Sequence, residues 1–453
     1  MRKFFGSAVI FLSLCISGAP AQSQGNSFPD YLQPDHAVNA VTMVMIHDVT
    51  SPPVAARYYA YCMMGAYCIV SKHDKSIPPL QNIVKSFTSD NSLDALPAKF
   101  DYRIAAYYSI MEIGRQLLPS GFMLKDDEDG FTDLLQKSGI DKEVINNSVA
   151  VAKLATVLAV NFSKTDHYNK LSTLKRYTPL KGDAYWYPTP PGYFEAVEPN
   201  WYTLKPTMID SSSQFRPAKL TAFSKDTASA FFHNAKEVYN LSKHLTSEQT
   251  NIALFWDCNP FAVTTSGHMM IGFKKISPGG HWMNIASLAC KQVHLNFDKS
   301  VMVLTLEGCT LMDAFISSWE EKYKSNRIRP ETYIDRYIDV TWRPILQTPP
   351  FPEFTSAHSV VSNASAQLLT YLFGDNFAYK DITEIPFGSS SRSFTSFGQA
   401  AAEAGISRYY GGIHYIESVN SGLVEGKEIG DFVVNKIKKA GINPLDIKNV
   451  TEK

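Results

Sequence analysis

The stretch from Pro349 to Gly374, PPFPEFTSAHSVVSNASAQLLTYLFG, decides how the rest of the chain is read. Pro349, Pro350 and Pro352 hold its start extended, because a proline ring fixes φ and restrains the residue before it. From Thr355 onward Val361, Ala364, Leu368 and Leu372 recur at helical spacing, and Gly374 closes the run. Thr355 or Ser356 is the natural N-cap. That puts the amides of Ala357 and His358 in the first turn, where no carbonyl of the helix can accept from them. Free amides at the positive end of a helix dipole make a seat for an anion. Ala357 must then have ordinary helical dihedrals, with φ of about −60°. Ser359, Ser362, Ala364 and Ser365 leave room for a second helix to pack closely. A plain capped helix with a buried, hydrogen-bonded His358 fits the same residues.

Two patterns on either side add charge. In EKYKSNRIRP, Lys322 precedes Arg329 by seven residues, almost two helical turns, so a continuing helix presents both on one face. Pro330 discourages helix at Arg329 and leaves its guanidinium near a helix end. In AGISRYYGGIHYIES, Gly411 and Gly412 interrupt an Ala-rich helix, so that Arg408 and His414 can be delivered to one point from two helix ends. Each pattern alone also suits a structural role, as solvated cations or an arginine capping carbonyls. In this order they support one another. Lys322, Arg329 and Arg408 supply cations, Ser356 and the helix-start amides neutral donors, and His358 and His414 a ligand or nucleophile and a proton donor. The set suits a tetrahedral, multiply charged oxyanion such as phosphate or vanadate. The literal Ser-Gly-His triplet at Ser266 to His268 precedes Lys322, lacks the proline approach, and is assigned no contact with the anion.

The remaining sequence is consistent with a helical frame. FDYRIAAYYSIMEIGRQLL (Phe100 to Leu118), INNSVAVAKLATVLAVNFSK (Ile145 to Lys164), AKEVYNLSKHL (Ala235 to Leu245) and the terminal EIGDFVVNKIKKAG ending at Gly441 predict helices. Tyr177 to Pro206 is rich in proline and aromatics, and predicts an irregular connection over the surface or over a cleft mouth. The expected class is all-α, packed helix bundles with the site in the C-terminal bundle. The division is a signal peptide at 1–21, a helical region with the Pro/aromatic connection at 22–218, and a helical catalytic region at 219–453, the last two forming one unit.

MRKFFGSAVIFLSLCISGAPA reads as a secretory signal, which implies a periplasmic or secreted protein. No later run offers the roughly 18 uninterrupted apolar residues of a membrane span. The 43 basic and 43 acidic residues balance, which gives a nucleic-acid partner no support. Past the signal stand Cys62, Cys68, Cys258, Cys290 and Cys309, an odd number that allows one or two disulfides, with Cys62 and Cys68 near enough to pair.

Lys-x6-Arg-Pro, then Ser-Ala-His, then Ser-Arg-x5-His, set in WEEKYKSNRIRPETYI, LQTPPFPEFTSAHSVVSNASA and GISRYYGGIHY, resembles the superfamily of vanadium-dependent haloperoxidases and type-2 phosphatidic acid phosphatases. The context looks most like the soluble bacterial haloperoxidases, iodoperoxidases included. The resemblance implies vanadate, with vanadium in its +5 state, as cofactor, and hydrogen peroxide and halide as substrates. It implies His414 as the axial metal ligand. Lys322, Arg329 and Arg408 would neutralise the oxyanion with help from the Ser356 hydroxyl and the Ala357 amide. His358 would be the acid–base residue, and Lys322 would also polarise bound peroxide.

Trp319 and Phe351 fall on pocket positions that are aromatic in fungal chloroperoxidases and bacterial iodoperoxidases, which favours iodide, with bromide as a second substrate. Two departures stand out. Ala357 replaces the usual glycine, and Ser418 stands where phosphatases and several haloperoxidases carry an aspartate that orients the histidine. Loss of that carboxylate weighs against a phosphohistidine mechanism. The alternatives are a soluble acid phosphatase with His414 as nucleophile and a non-catalytic oxyanion-binding protein.

Overall fold

Helices carry almost all the regular structure, as the apolar periodicity predicts. The computed structural model describes residues 29–88, 91–217, 219–266 and 268–447, so the expected signal peptide lies outside the described residues. In the first half run α1 (Pro34–His47), α2 (Pro52–His73), α3 (Tyr102–Leu117), α4 (Leu124–Lys137) and α5 (Lys142–Ser163). Then come α6 (Ala230–Ser242), α7 (Ser247–Phe255), α8 (Pro278–Gln292), α9 (Phe297–Ser325), α10 (Pro330–Tyr337), α11 (Ala357–Phe373), α12 (Phe397–Tyr410) and α13 (Ile416–Lys439). The four helices read from sequence correspond to α3, α5, α6 and α13. The α6 helix begins five residues earlier than expected, because Ser229 caps it through the Phe232 amide. Among the described residues, short 3-10 turns and two antiparallel hairpins are added to these helices: β1 (Val263–Ser266) with β2 (Met269–Gly272), and β3 (Tyr379–Asp381) with β4 (Arg392–Phe394). Of the literal Ser-Gly-His motif, Ser266 ends β1 and His268 is exposed just before β2.

One apolar core runs through residues from Leu32 to Leu445 and is built around α9. This helix is long and apolar enough to cross a bilayer, yet its apolar window is wholly buried among other helices. Most of the polar groups it carries inward find partners inside the protein, Glu307 Oε2 and Asp298 Oδ1 being buried exceptions. The Asp313 carboxylate accepts from the amides of Thr207, Met208 and Ile209, and Glu307 accepts from Ser365.

The small-residue face of α11 meets α13 at van der Waals limits. A Cβ on Gly422, Gly426 or Gly430 would lie 2.7, 2.3 or 2.9 Å from the carbonyl oxygens of Ser356, Val360 and Ala364. Three glycines spaced four residues apart therefore let α13 lie directly on the backbone of the anion-seat helix, and set its depth.

The Pro/aromatic connection folds over the extended approach to α11. Val197 donates its amide to Pro350 O, and its carbonyl accepts from Trp319 Nε1 and Tyr323 Oη. Of the two placements the sequence allowed, the connection takes the cleft side. The disulfides that the cysteine count allows do not form among the described residues: Cys62, Cys258, Cys290 and Cys309 are buried thiols. Burial pushes the Cys62 thiol up to about 12, which removes its thiolate character.

Candidate active site

Ser356 caps α11 by accepting from the Ser359 amide, and Ala357 is the first helical residue with no positive φ. The alanine in place of glycine is thus free of backbone strain, as expected. His358 follows, half-buried, with its ring hydrogen-bonded to the Trp256 backbone and its Nε2 buried without a partner.

Lys322 and Arg329 converge on this helix start, but not from one helical face. The α9 helix stops at Ser325 because Asn326 turns left-handed (φ 48°), and Arg329 occupies the extended N-cap of α10 (φ −79°, ψ 154°). The turn, rather than a shared face, brings them together. Lys322 Nζ donates to the carbonyls of Pro352, Glu353 and Thr355 at 3.2, 3.3 and 2.5 Å, tying α9 to the extended approach. Arg329 donates through Nε to Phe351 O and through Nη1 to Ile413 O and His414 Nε2, at 3.0, 2.9 and 3.0 Å. Arg408, at the end of α12, donates to Trp256 O at 2.7 Å. Gly412, at φ 77°, turns the chain so that His414 arrives just before α13.

The carboxylate that Ser418 cannot supply comes from Glu353, in the extended approach. Glu353 Oε1 accepts from His414 Nδ1 at 2.8 Å and from the Tyr415 amide at 3.1 Å, while Oε2 accepts from Ser418 Oγ at 2.7 Å. Arg327 flanks the same carboxylate at 3.4 Å. Because a carboxylate only accepts, the His414 proton sits on Nδ1, and the unprotonated Nε2, which here accepts from Arg329 Nη1, is the ring atom that can serve as a ligand. This corrects the expectation of a weakened histidine, and with it the argument that Ser418 disfavours a phosphohistidine. Sequence reasoning missed Glu353, although it is the single acidic residue of the Pro349–Gly374 stretch. It also gave no role to Asn259, whose Nδ2 is buried without a partner.

Ala357, His358, Arg408, His414 and Asn259 line one cavity, with Trp319 and Phe351 as part of its apolar wall. The two rings lie 5.0 Å apart, and Lys322 Nζ lies 5.0 Å from the Phe351 ring. Arg329, Lys322 and Ser356 stand behind this lining. Burial, then Arg329, pushes the Lys322 ammonium well below its usual range, and burial lowers Arg329 to about 9. Burial also lowers His358 and His414 well below the ordinary imidazole range, with Arg408 next for His358 and Arg329 next for His414. Both imidazoles are therefore neutral near pH 7. Each shift reflects positive charge crowded in a dry place, which an anion would relieve. Arg329 Nη2, Arg408 Nε and Asn259 Nδ2 are buried donors without acceptors, and His358 Nε2 is a buried base without a proton source. Buried polar atoms are normally paired, so this donor set fits a multiply charged tetrahedral oxyanion such as vanadate.

The fold and site define a helix-bundle protein with a buried, cation-rich oxyanion cavity. Residues 336–441 match the family model of the VCPO second helical-bundle domain. Over most of its length the chain is similar to a protein whose crystal structure is described as the first bacterial vanadium-dependent iodoperoxidase. Identity is 39%, coverage is 93% of this chain and 98% of that one, and the TM-score is 0.83. Holo- and apo-type structures of a bacterial vanadium-dependent chloroperoxidase share the fold at 14% and 16% identity, with TM-scores of 0.65 and 0.62. They cover 92% and 87% of this chain and 99% and 95% of their own. No protein of curated function matches. The chain belongs to the vanadium-dependent haloperoxidase family.

Proposed function

We propose that the protein is an exported vanadium-dependent haloperoxidase that oxidises halide, iodide in preference to bromide, with hydrogen peroxide. The observation that carries this reading is the set of partnerless buried nitrogens around His414: Arg329 Nη2, Arg408 Nε, Asn259 Nδ2 and His358 Nε2. His414 would hold the metal through Nε2, with Glu353 fixing its tautomer. Lys322, Arg329 and Arg408, with the Ser356 hydroxyl and the Ala357 amide, would carry the oxyanion charge. Bound vanadate supplies a Lewis-acid centre that activates peroxide toward halide. His358, neutral and with Nε2 free, would be the acid–base residue, taking a proton from hydrogen peroxide at Nε2 and giving it up again. The Trp319 and Phe351 wall excludes water and suits the halide that loses hydration most easily, which is iodide.

Triiodide formation by the purified protein, with peroxide and iodide, before and after vanadate loading, tests the reading; equal activity in both states overturns it. The Glu353–His414 pair also favours a second reading, a phosphatase with His414 as nucleophile. In that case orthovanadate inhibits phosphate-ester hydrolysis instead of switching on halide oxidation.

A further inference from the structure

Behind the cavity wall, the residues that follow α7 meet α8 and the segment after β3. There Cys258 Sγ, His281 Nδ1 and Glu384 Oε1 face one another, all buried. Sγ to Nδ1 is 3.4 Å, Nδ1 to Oε1 is 3.2 Å, and Sγ to Oε1 is 4.0 Å. A tetrahedral zinc ion with bonds of about 2.3 Å to sulfur and about 2.0–2.1 Å to nitrogen and oxygen spaces its ligands about 3.3–3.6 Å apart. Two of the three edges fall within about 0.2 Å of those values, and the third closes with a few tenths of an ångström of side-chain movement.

The surroundings orient the imidazole for a ligand at Nδ1. His281 Nε2 lies 2.8 Å from Asp381 Oδ2, and Asp381 is itself fixed by the Thr383 amide and hydroxyl at 2.9 and 2.7 Å. Trp256 stacks on the ring at 4.6 Å between centroids. A carboxylate on the far nitrogen fixes the tautomer with Nε2 protonated, turns the Nδ1 lone pair toward Cys258 and Glu384, and raises its basicity. The Nδ1 lone pair and the Glu384 carboxylate are then two acceptors at 3.2 Å, and only a positive charge between them makes that contact favourable. A proton on Nδ1 and the thiol proton of Cys258 can each serve the Glu384 carboxylate; a metal ion binds all three ligand atoms at once.

We propose that Cys258, His281 and Glu384 form a divalent-metal site of the zinc type beside the vanadate cavity, whose lining Cys258 shares. A thiolate, an imidazole and a carboxylate together suit zinc better than the hard cations calcium or magnesium. On binding, the metal displaces the Cys258 thiol proton and any proton on His281 Nδ1, which leave to solvent. The site clamps the Trp256–Phe261 segment, which supplies the Trp256 carbonyl to Arg408 and Cys258, Asn259, Pro260 and Phe261 to the cavity lining. The metal is thus a structural brace for the wall of the anion site. The inference stands whether the cavity holds vanadate or phosphate.

The test uses the full-length protein, free of vanadate, expressed with added zinc and analysed for metal by mass spectrometry, with Co2+ replacement read as a sulfur-to-cobalt absorption band. About one zinc per chain is expected, with the band present in wild type and lost in Cys258→Ala and Cys258→Ser. His358→Ala retains both signals, which separates this site from the oxyanion cavity. Should a variant fail to fold, titration of Zn2+ into wild type against a chromophoric chelator decides alone. A content below ~0.1 zinc per chain with no chelator competition overturns the proposal, and so does a folded Cys258→Ala that binds as wild type does. Protons then hold the cluster instead.

Discussion

Glu353→Gln is the perturbation that most directly tests the histidine assignment. Glu353 accepts from His414 Nδ1, Tyr415 N and Ser418 Oγ, and is paired with Arg327. Glutamine keeps the shape and can still accept from His414 and Tyr415 through its oxygen. Its NH2 group cannot accept from Ser418 and faces Arg327 unfavourably. Arg327 keeps a carboxylate partner in Glu417, at 2.6 Å, so no unpaired buried charge is created. Removing the charge that supports a ligating histidine typically weakens metal affinity 10–100-fold, or about 1.4–2.7 kcal/mol. The dissociation constant for vanadate, measured by equilibrium dialysis with vanadium quantified in both chambers, should rise by that factor. The melting temperature should fall by only about 2–4 °C per kcal/mol lost from the fold. A change in affinity of less than about twofold would refute the assignment of Glu353 as the support of His414. Ser418→Asp adds a control. It places a second carboxylate against Glu353 Oε2, so it should weaken vanadate binding rather than restore a phosphatase-like support.

Three further outcomes follow from particular contacts. His358→Ala should cut halide oxidation about 10²–10⁴-fold while vanadate affinity, by the same dialysis, stays within about threefold, because the residue is assigned to proton transfer. Gly426→Ala drives a Cβ to 2.3 Å from Val360 O, so α13 must shift off α11; thermal unfolding should show a loss of about 1–3 kcal/mol or more. Burial raises Glu307 to about 8. The folded protein then holds a proton that the unfolded chain releases near 4.5, so this group's contribution to stability is lost as pH rises from about 4.5 to about 8. Glu307→Gln should flatten the decline of melting temperature across that window, and an unchanged slope refutes the assignment.

Much of the site is local chemistry and is therefore legible along the chain. The α11 start depends on Ser356 capping and on the prolines before it, both features of neighbouring residues. The break at Gly411–Gly412 is likewise a local signal. Glu353 was not legible, because an acid between Pro352 and Phe354 announces nothing until His414, 61 residues later, is laid beside it. Asn259 and the Cys258–His281–Glu384 cluster share that difficulty, since their partners come from separate elements. The Lys322–Arg329 pair shows the opposite error. Heptad spacing suggested one helical face, but Asn326 ends the helix and the residues meet around a turn.

The sequence by itself determined the all-α class, the ends of α3 and α5 to within a few residues, and the identity of the cations and histidines that surround the oxyanion cavity. Those follow from periodicity, capping and residue chemistry, which act over a few positions. Only the tertiary structure decided which carboxylate orients His414, how Lys322 reaches its three carbonyls, and how closely α13 lies on α11. Only it showed which buried nitrogens are left without partners. Those are properties of segments brought together by burial of the core around α9, where the energy of each polar group depends on what faces it across the packed interface.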